Sequence, residues 1–308
     1  MQFVNVSVII SSYTEKRLND ILRCISSLRK QTHPPLEILL VLDPLEGLVH
    51  FYRSRLPASV KIIISPRIGL SHARNAGARA ASGSIIAFID DDAYADEDWL
   101  LNLVKNYEDP DVMGVGGFVA PEWISHRPYW FPEELDWIIG CSYRGLPTVK
   151  SSVRNPIGAN MSFRSEALRK VGYFKSDIGR LGTTLLSNED TEISMRILRA
   201  IRNARLIYDP SAIVHHKVDT QRTSLAYVWK RSFYEGISKA TITAELNLAN
   251  TRTALTTEGD YLKHLIRVAI PSRAGRILHP KNILQLLTLL TSTSAVFLGY
   301  ISHIHGRL

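Results

Sequence analysis

Four short runs rich in Val, Ile and Leu fall within the first ninety residues: VSVIIS (6–11), LEILLVL (36–42), VKIIIS (60–65) and SIIAFI (84–89). They are apolar on both faces, so as strands they need cover on both sides of a sheet. The segments between them can supply it. Leu18, Ile21, Leu22, Ile25 and Leu28 recur at i, i+3, i+4, i+7 and i+10, one face of a helix. This alternation predicts a doubly wound α/β fold, a mainly parallel sheet flanked by helices, with ligands at the carboxyl ends of the strands.

At one such end the stretch FIDDDAYADEDWL (88–100) places Asp90, Asp91 and Asp92 in a row, in a chain whose 37 Lys and Arg against 29 Asp and Glu give a net charge of +8. Asp90 and Asp92 are two positions apart, on the same side of an extended backbone, where their hard oxygens can approach one divalent cation, Mn²⁺ or Mg²⁺. Such an ion bridges carboxylate to nucleotide diphosphate and offsets the charge of the departing group. Capping of the next helix is assigned to Asp96, ahead of Leu100, Leu103, Val104 and Tyr107, which leaves the triplet for the cation. Other residues belong to the same rim: SSYTE (11–15) follows the first strand, Asp43 ends the second, and Arg74 and Asn75 lie in GLSHARNAGARAASG. An acid at a strand end can accept from a base or ribose, and an Arg can pair with phosphate.

From about 120 to 220 the chain is more irregular, with one clear helix, Ser194, Ile197, Leu198 and Ile201, behind SNEDTE. A carboxylate in that first turn, Asp190, can take a proton from an approaching hydroxyl, although Glu189, Asp190 and Glu192 also suit a helix N-terminus. GVGG (114–117) lacks the third glycine of a dinucleotide fingerprint and reads as an acceptor-side turn. Residues 223–246 read as helical, and 259–281 as a basic amphipathic stretch with Lys263, Arg267, Arg273, Arg276 and Lys281. Residues 282–302 then run for about 20 positions without a charge or a histidine, the length of a membrane-spanning helix. A polar stripe, Asn282, Gln285, Thr288 and Ser292, offers the alternative of docking on a partner helix. Cys24 and Cys141 lie in apolar segments without metal-type spacing, which points to a reducing compartment. The N-terminus runs straight into a strand, with no secretory leader pattern. The basic residues gather near the hydrophobic end instead of alternating with aromatics, so no nucleic-acid partner is expected.

Taken in order, VSVIISSYTE, VLD at Asp43, GLSHARNAG, AFIDDDA, NPIGANMSFRSEAL (155–168) and NEDTEISMRI (188–197) resemble glycosyltransferase family 2, nucleotide-sugar-dependent enzymes with a GT-A fold, over about residues 5–236. Where many members read Pro-Thr-Tyr-Asn-Glu after the first strand, this chain keeps Tyr13 and Glu15 and departs at Ser11, Ser12 and Thr14. The resemblance implies that Tyr13, Glu15, Asp43 and the backbone near Ser11 hold the nucleoside, that Arg74 meets the phosphates, that Asp90 meets the ribose or metal and Asp92 the metal. Asp190, with Glu189 beside it, would be the catalytic base. As in many members, His215 or His216 would approach the metal, and Arg222 and Arg231 the phosphates.

The reaction so implied is an inverting displacement of a hexose onto a hydroxyl, because a phosphate acceptor is already ionised and needs no base. Likeness to archaeal members with hydrophobic C-terminal helices implies a lipid-linked saccharide acceptor in N-glycan assembly, met at the cytoplasmic face of a membrane. The donor expected is GDP-mannose, with UDP-glucose or a UDP-uronate as alternatives. The organisation expected is a GT-A catalytic domain over 1–222, with a nucleotide half to about 120 and an acceptor half after it. Amphipathic interface helices over 223–281 and a membrane helix over 282–304 complete it. A sugar-nucleotide pyrophosphorylase would need a Gly-rich loop where SSYTEKR stands; a non-catalytic nucleotide-sugar-binding homologue would keep the rim without the base.

Overall fold

A computed structural model of the chain describes residues 4–176, 187–245, 256–276 and 278–306. All four apolar runs are strands: β1 (Val6–Ser12), β2 (Glu37–Leu42), β3 (Val60–Ile64) and β4 (Ile85–Asp90), paired in parallel in the spatial order β3-β2-β1-β4. Helices α1 (Leu18–Arg29), α2 (Leu48–Arg53) and α3 (Leu70–Ala80) connect them. Alternation along each strand feeds two cores. Val8, Ile10 and Leu40 pack with Ile21, Ile25 and Leu28 of α1, whereas Ile9, Leu39 and Val41 pack with Ala73 and Ala78 of α3. β1, β2 and β4 are buried on both faces, which is why they carry no polar alternation, whereas β3 at the sheet edge is only partly covered.

The connection from β3 to β4 crosses back over β1, so strand order reverses between β1 and β4. That switch point is where an open α/β sheet leaves a crevice. Beyond β4 the sheet becomes mixed through β5 (Ala93–Ala95), β6 (Val112–Trp123), β7 (Ser151–Ser152), β8 (Asn160–Arg164) and β9 (Arg205–Val218), completing the order β3-β2-β1-β4-β8-β6-β9-β5 with β7 on β9. The pairs β4·β8, β6·β8 and β5·β9 are antiparallel. Helices α4 (Trp99–Val104), α5 (Ser165–Val171) and α6 (Glu189–Ala200) flank this half.

Two local expectations are corrected. Asp96 does not cap α4: the helix begins two residues later than expected, with Asp98 at the cap position, and the Asp96 carboxylate meets His215 at 2.7 Å. GVGG is not a turn but the middle of buried β6. Its glycines admit other chain segments at close range: a Cβ on Gly117 would lie 1.8 Å from the Ala212 carbonyl oxygen, and one on Gly116 2.3 Å from Pro156. Gly117→Ala is therefore expected to destabilise the fold by about 3 kcal/mol, at the upper end of overpacking costs, seen as a lower denaturant midpoint in chemical unfolding.

The described residues form two compact units. The first takes in 4–120, 147–176 and 189–217, the sheet and its helices; the second takes in 121–146, 187–188 and the described residues from 218 onward. In the second unit, α7 (Leu225–Glu245), α8 (Thr256–His264), a π-helical turn (Leu265–Ala269), α9 (Ile270–Ala274) and α10 (Pro280–His305) follow in order. The 26 residues of α10 are long and apolar enough to cross a membrane. Its polar stripe is turned inward: Gln285, Thr288 and Ser292 are buried, and Ser292 Oγ lies 2.8 Å from Ser232 Oγ on α7. The two helices touch backbone to backbone. A Cβ on Gly236 would sit 2.0 Å from the Val296 carbonyl oxygen, and one on Gly299 2.0 Å from that of Phe233. Small residues at a helix crossing are the packing that works where the hydrophobic effect gives no help. Arg273 anchors this unit, donating to Glu134 at 3.0 and 2.6 Å and to Gln285 at 3.0 Å, all three residues buried.

Candidate functional site

The switch point gathers most of the rim. In the parallel register Ser11 lies opposite Asp90, so the end of β1 and the end of β4 are adjacent. Chain reversal at Asp91 and Asp92 leads into β5, and β5 pairs with β9 such that Ala93 faces His216. The Lys217 amide donates to the Asp92 carbonyl at 2.9 Å and closes that corner. The result is a compact donor set: one ligand atom each from Asp90, Asp92 and His216, all within 4.8 Å of one another. His216 Nε2 is 3.2 Å from Asp92 Oδ1, and both residues are buried. Two hard carboxylates and one imidazole form a set able to hold a divalent transition metal or alkaline-earth ion.

Of the two adjacent histidines only His216 joins this set. Successive side chains on a strand point to opposite faces, so His215 turns the other way, stacks on Tyr94 at 4.7 Å and bonds Asp96.

Four carboxylates in this corner, Asp90, Asp91, Asp92 and Glu189, share two guanidinium groups. Arg17, on the 3₁₀ turn Glu15–Arg17 after β1, reaches Asp92 at 3.0 Å and Asp91 at 4.0 Å. Arg74, buried on α3, donates to Glu189 at 2.7 Å and lies 3.5 Å from Asp90. Burial, with the charge of Asp92 next to it, pushes the Asp91 carboxyl up to about 7, even though the Ser12 hydroxyl donates to it at 2.6 Å. Crowded, buried carboxylates of this kind mark a place that gains from a further cation. Arg17 is not among the sequence candidates, and Asp91 enters there only as the middle member of the triplet. The apolar run before the triplet points to one strand end, but nothing local says that a turn about 75 residues earlier in the chain folds over it.

The remaining candidates of the first unit lie at the ends of β1 and β2 and at the start of α6. Asp43 ends β2, buried, its amide donating to the Ser12 carbonyl at 3.1 Å and its carboxylate accepting from the Gly69 amide at 3.4 Å; burial raises its carboxyl above the usual range. Gly69, at φ 129°, allows the tight entry into α3 that aims this amide back at β2. Tyr13 and Glu15 are exposed at the mouth of β1, beyond half-buried Ser11. Glu189 and Asp190 start α6 and divide the work: Glu189 is buried against Arg74, whereas Asp190 is half-buried and accepts from the Gly158 amide at 3.1 Å and the Thr191 amide at 2.7 Å. Arg222 and Arg231 belong to the second unit. There Arg222 donates to the Ile139 carbonyl at 3.4 Å, and Arg231 to Glu235 at 2.8 Å and to Ser187 at 2.9 Å. Glu235 is half-buried, and although desolvation raises its carboxyl, Lys239 and Arg231 outweigh that cost and hold it down at about 2.

A family model described as Glycosyl transferase family 2 matches residues 7–172. The chain is 31% identical over 305 residues to a glucosyl-dolichyl phosphate glucuronosyltransferase of Haloferax volcanii, an alignment taking in 97% of this chain and 96% of that protein. It is 25% identical over 248 residues to the succinoglycan biosynthesis protein ExoM of Rhizobium meliloti, covering 79% of this chain and 76% of that one. Among solved structures, the mannosyltransferase PcManGT from Pyrobaculum calidifontis in complex with GDP-Man and Mn²⁺ superposes with a TM-score of 0.60 at 19% identity, over 99% of this chain and 88% of that one. GalNAc-T7 with UDP, GalNAc and Mn²⁺ does so with a TM-score of 0.53 at 15% identity, over 89% and 58%.

Proposed function

Because the chain belongs to glycosyl transferase family 2 and has a GT-A fold, we propose that it is a metal-dependent, inverting transferase moving a hexose from a nucleoside diphosphate to a hydroxyl of a lipid-linked saccharide. The observation that carries this reading is the convergence of Asp90, Asp92 and His216 at the switch point, with Asp190 on α6 linked to Asp90 through the Gly158 backbone and Arg74. A divalent cation held there supplies positive charge against the diphosphate that leaves; the imidazole in the set favours Mn²⁺ over Mg²⁺, which prefers oxygen alone.

The chain's own groups do the rest. Asp43 and Glu15, with Tyr13 and the backbone at Ser11, form the nucleoside side of the crevice. Arg74 holds Asp90 and Glu189 in place through its two carboxylate contacts. Glu189 is neutralised by that pair, and Asp190 next to it on α6 is read as the carboxylate that accepts the proton of the attacking hydroxyl, its orientation fixed by the Gly158 and Thr191 amides. Arg222 and Arg231 are read as phosphate-neutralising residues of the second unit.

For the sugar, the relative aligned over nearly the whole chain is named for glucuronosyl transfer to a glucosyl-dolichyl phosphate, and a hexuronate donor is the preferred reading. GDP-mannose stands second: the mannosyltransferase likeness is one of fold. The apolar α10 after a basic segment supports a membrane-associated enzyme whose site faces the cytoplasm, where nucleotide sugars are made, in assembly of a lipid-linked glycan such as an N-glycan precursor. Within that scheme 1–222 is the catalytic domain, 223–281 the interfacial helices and 282–304 the membrane segment.

The test is transfer itself. Full-length enzyme with Mn²⁺, membrane lipid extract and, in turn, UDP-glucuronate, GDP-mannose and UDP-glucose should release nucleoside diphosphate and move label into the lipid phase with one donor. Diphosphate release with all label left as free sugar would overturn the acceptor assignment.

A further inference from the structure

The second unit contains a cavity of about 750 Å³ lined by Arg144, Arg273, Arg276, His279, Lys281 and Gln285, among others. Its walls differ in role. Arg273 is fully engaged by Glu134, Gln285 and the Ala269 carbonyl, and serves as a fixed floor. Arg144 is paired with Glu133. Arg276 and Lys281, by contrast, are exposed at the rim, and among the described residues neither has a carboxylate partner. The cavity also takes in the first turn of α10, where Pro280 has no N–H and the Asn282 and Ile283 amides donate to the His279 carbonyl, so what this end adds is the positive pole of a 26-residue helix and not a cluster of free amides.

What adjoins this basic cavity is apolar. Leu278, between Arg276 and Lys281, is 97% exposed, and Ile283, Leu287, Leu290 and Phe297 form an exposed stripe at i, i+4, i+7 and i+14 down α10. The opposite face of α10 is the one buried by Thr288, Ser292 and Gly299.

We propose that this cavity binds the phosphate group of a membrane lipid whose hydrocarbon chains lie along the exposed stripe of α10. A soluble anion would be served by the cations alone; the apolar stripe beginning at their edge is what commits the site to a lipid. The inference rests on the membrane part of the reading above and not on the transfer chemistry, so it is tested without turnover.

The full-length protein in neutral detergent micelles is mixed with phosphatidic acid, with phosphate-free diacylglycerol of the same chains, or with phosphatidic acid plus inorganic pyrophosphate, and bound lipid is read by native mass spectrometry. Phosphatidic acid should be retained and diacylglycerol not. The double variant Arg276→Gln/Lys281→Gln should bind about 25-fold more weakly, about fivefold for each cation lost. Lys30→Gln/Lys105→Gln, which removes the same charge from exposed positions of the first unit, should bind as the parent does. Equal binding by both double variants, or equal retention of diacylglycerol, overturns the proposal. Displacement by pyrophosphate as effective as by lipid would make the cavity a soluble-anion site and overturn it too. A parent protein that retains neither lipid would sink the membrane reading along with it, whereas loss of sugar transfer alone would leave this site standing.

Discussion

Asp92→Asn is expected to lower kcat/KM by about a thousandfold, the several kcal/mol that a bound cation contributes to a departing diphosphate, without lowering the melting temperature. The two halves of this expectation come from the same geometry. Asp92 is buried 3.2 Å from His216 and 3.0 Å from Arg17, with Asp91 and Asp90 next to it. Asparagine is close to isosteric: its oxygen can accept from Arg17 while its amide group donates to His216 Nε2 in the tautomer that carries the proton on Nδ1, so packing is kept. Removing one charge also relieves the crowding that pushes Asp91 up to about 7, so the folded state has little to lose. A site that is less comfortable with its own charges than with a neutral substitute is poised for a cation; stability given up for function is the general pattern. Paired kinetics with thermal unfolding checks it: a large drop in melting temperature would mean that the triplet is a structural salt-bridge cluster instead.

Asp190→Asn is expected to reduce kcat by about 10²- to 10⁴-fold, the usual range for loss of a general base, while donor KM stays within a few-fold. The asparagine oxygen can keep the Thr191 amide, and α6 retains Glu189 on Arg74, so the donor side keeps its brace. Steady-state kinetics separating kcat from KM reads this directly. The contrasting variant is Glu189→Gln, which loosens Arg74 from α6 and therefore acts on Asp90 and on donor KM. Equal effects of the two variants on KM would remove Asp190 from the proton-transfer role.

Much of this was legible in the residues because it depends on local periodicity. The four apolar runs sit within a residue or two of β1 to β4, the apolar face of α1 is buried as expected, and α10 covers the uncharged stretch. What escaped depends on register and on contacts distant in sequence. The choice between His215 and His216 is settled only by pairing Ala93 with His216 across β5 and β9. Arg17 matters because the turn after β1 folds over the turn after β4, which no spacing reveals. GVGG reads as a turn once the third glycine of a dinucleotide fingerprint is missing; in β6 its glycines instead make room for Ala212 and Pro156. Gly236, isolated inside α7, did carry a signal, since a glycine within a helical pattern often marks close packing, and Gly299 on α10 is its counterpart.

The central claim is that Asp90, Asp92 and His216 hold a divalent cation which in turn holds the donor's diphosphate. Electron paramagnetic resonance of Mn²⁺ titrated into the full-length protein, with and without nucleoside diphosphate, addresses it most directly. Binding of a single Mn²⁺ that tightens when the diphosphate is added, and that is lost in both Asp92→Asn and His216→Ala, is the predicted result. Diphosphate binding that is as tight in the presence of a chelator, or Mn²⁺ binding unchanged in both variants, would contradict it.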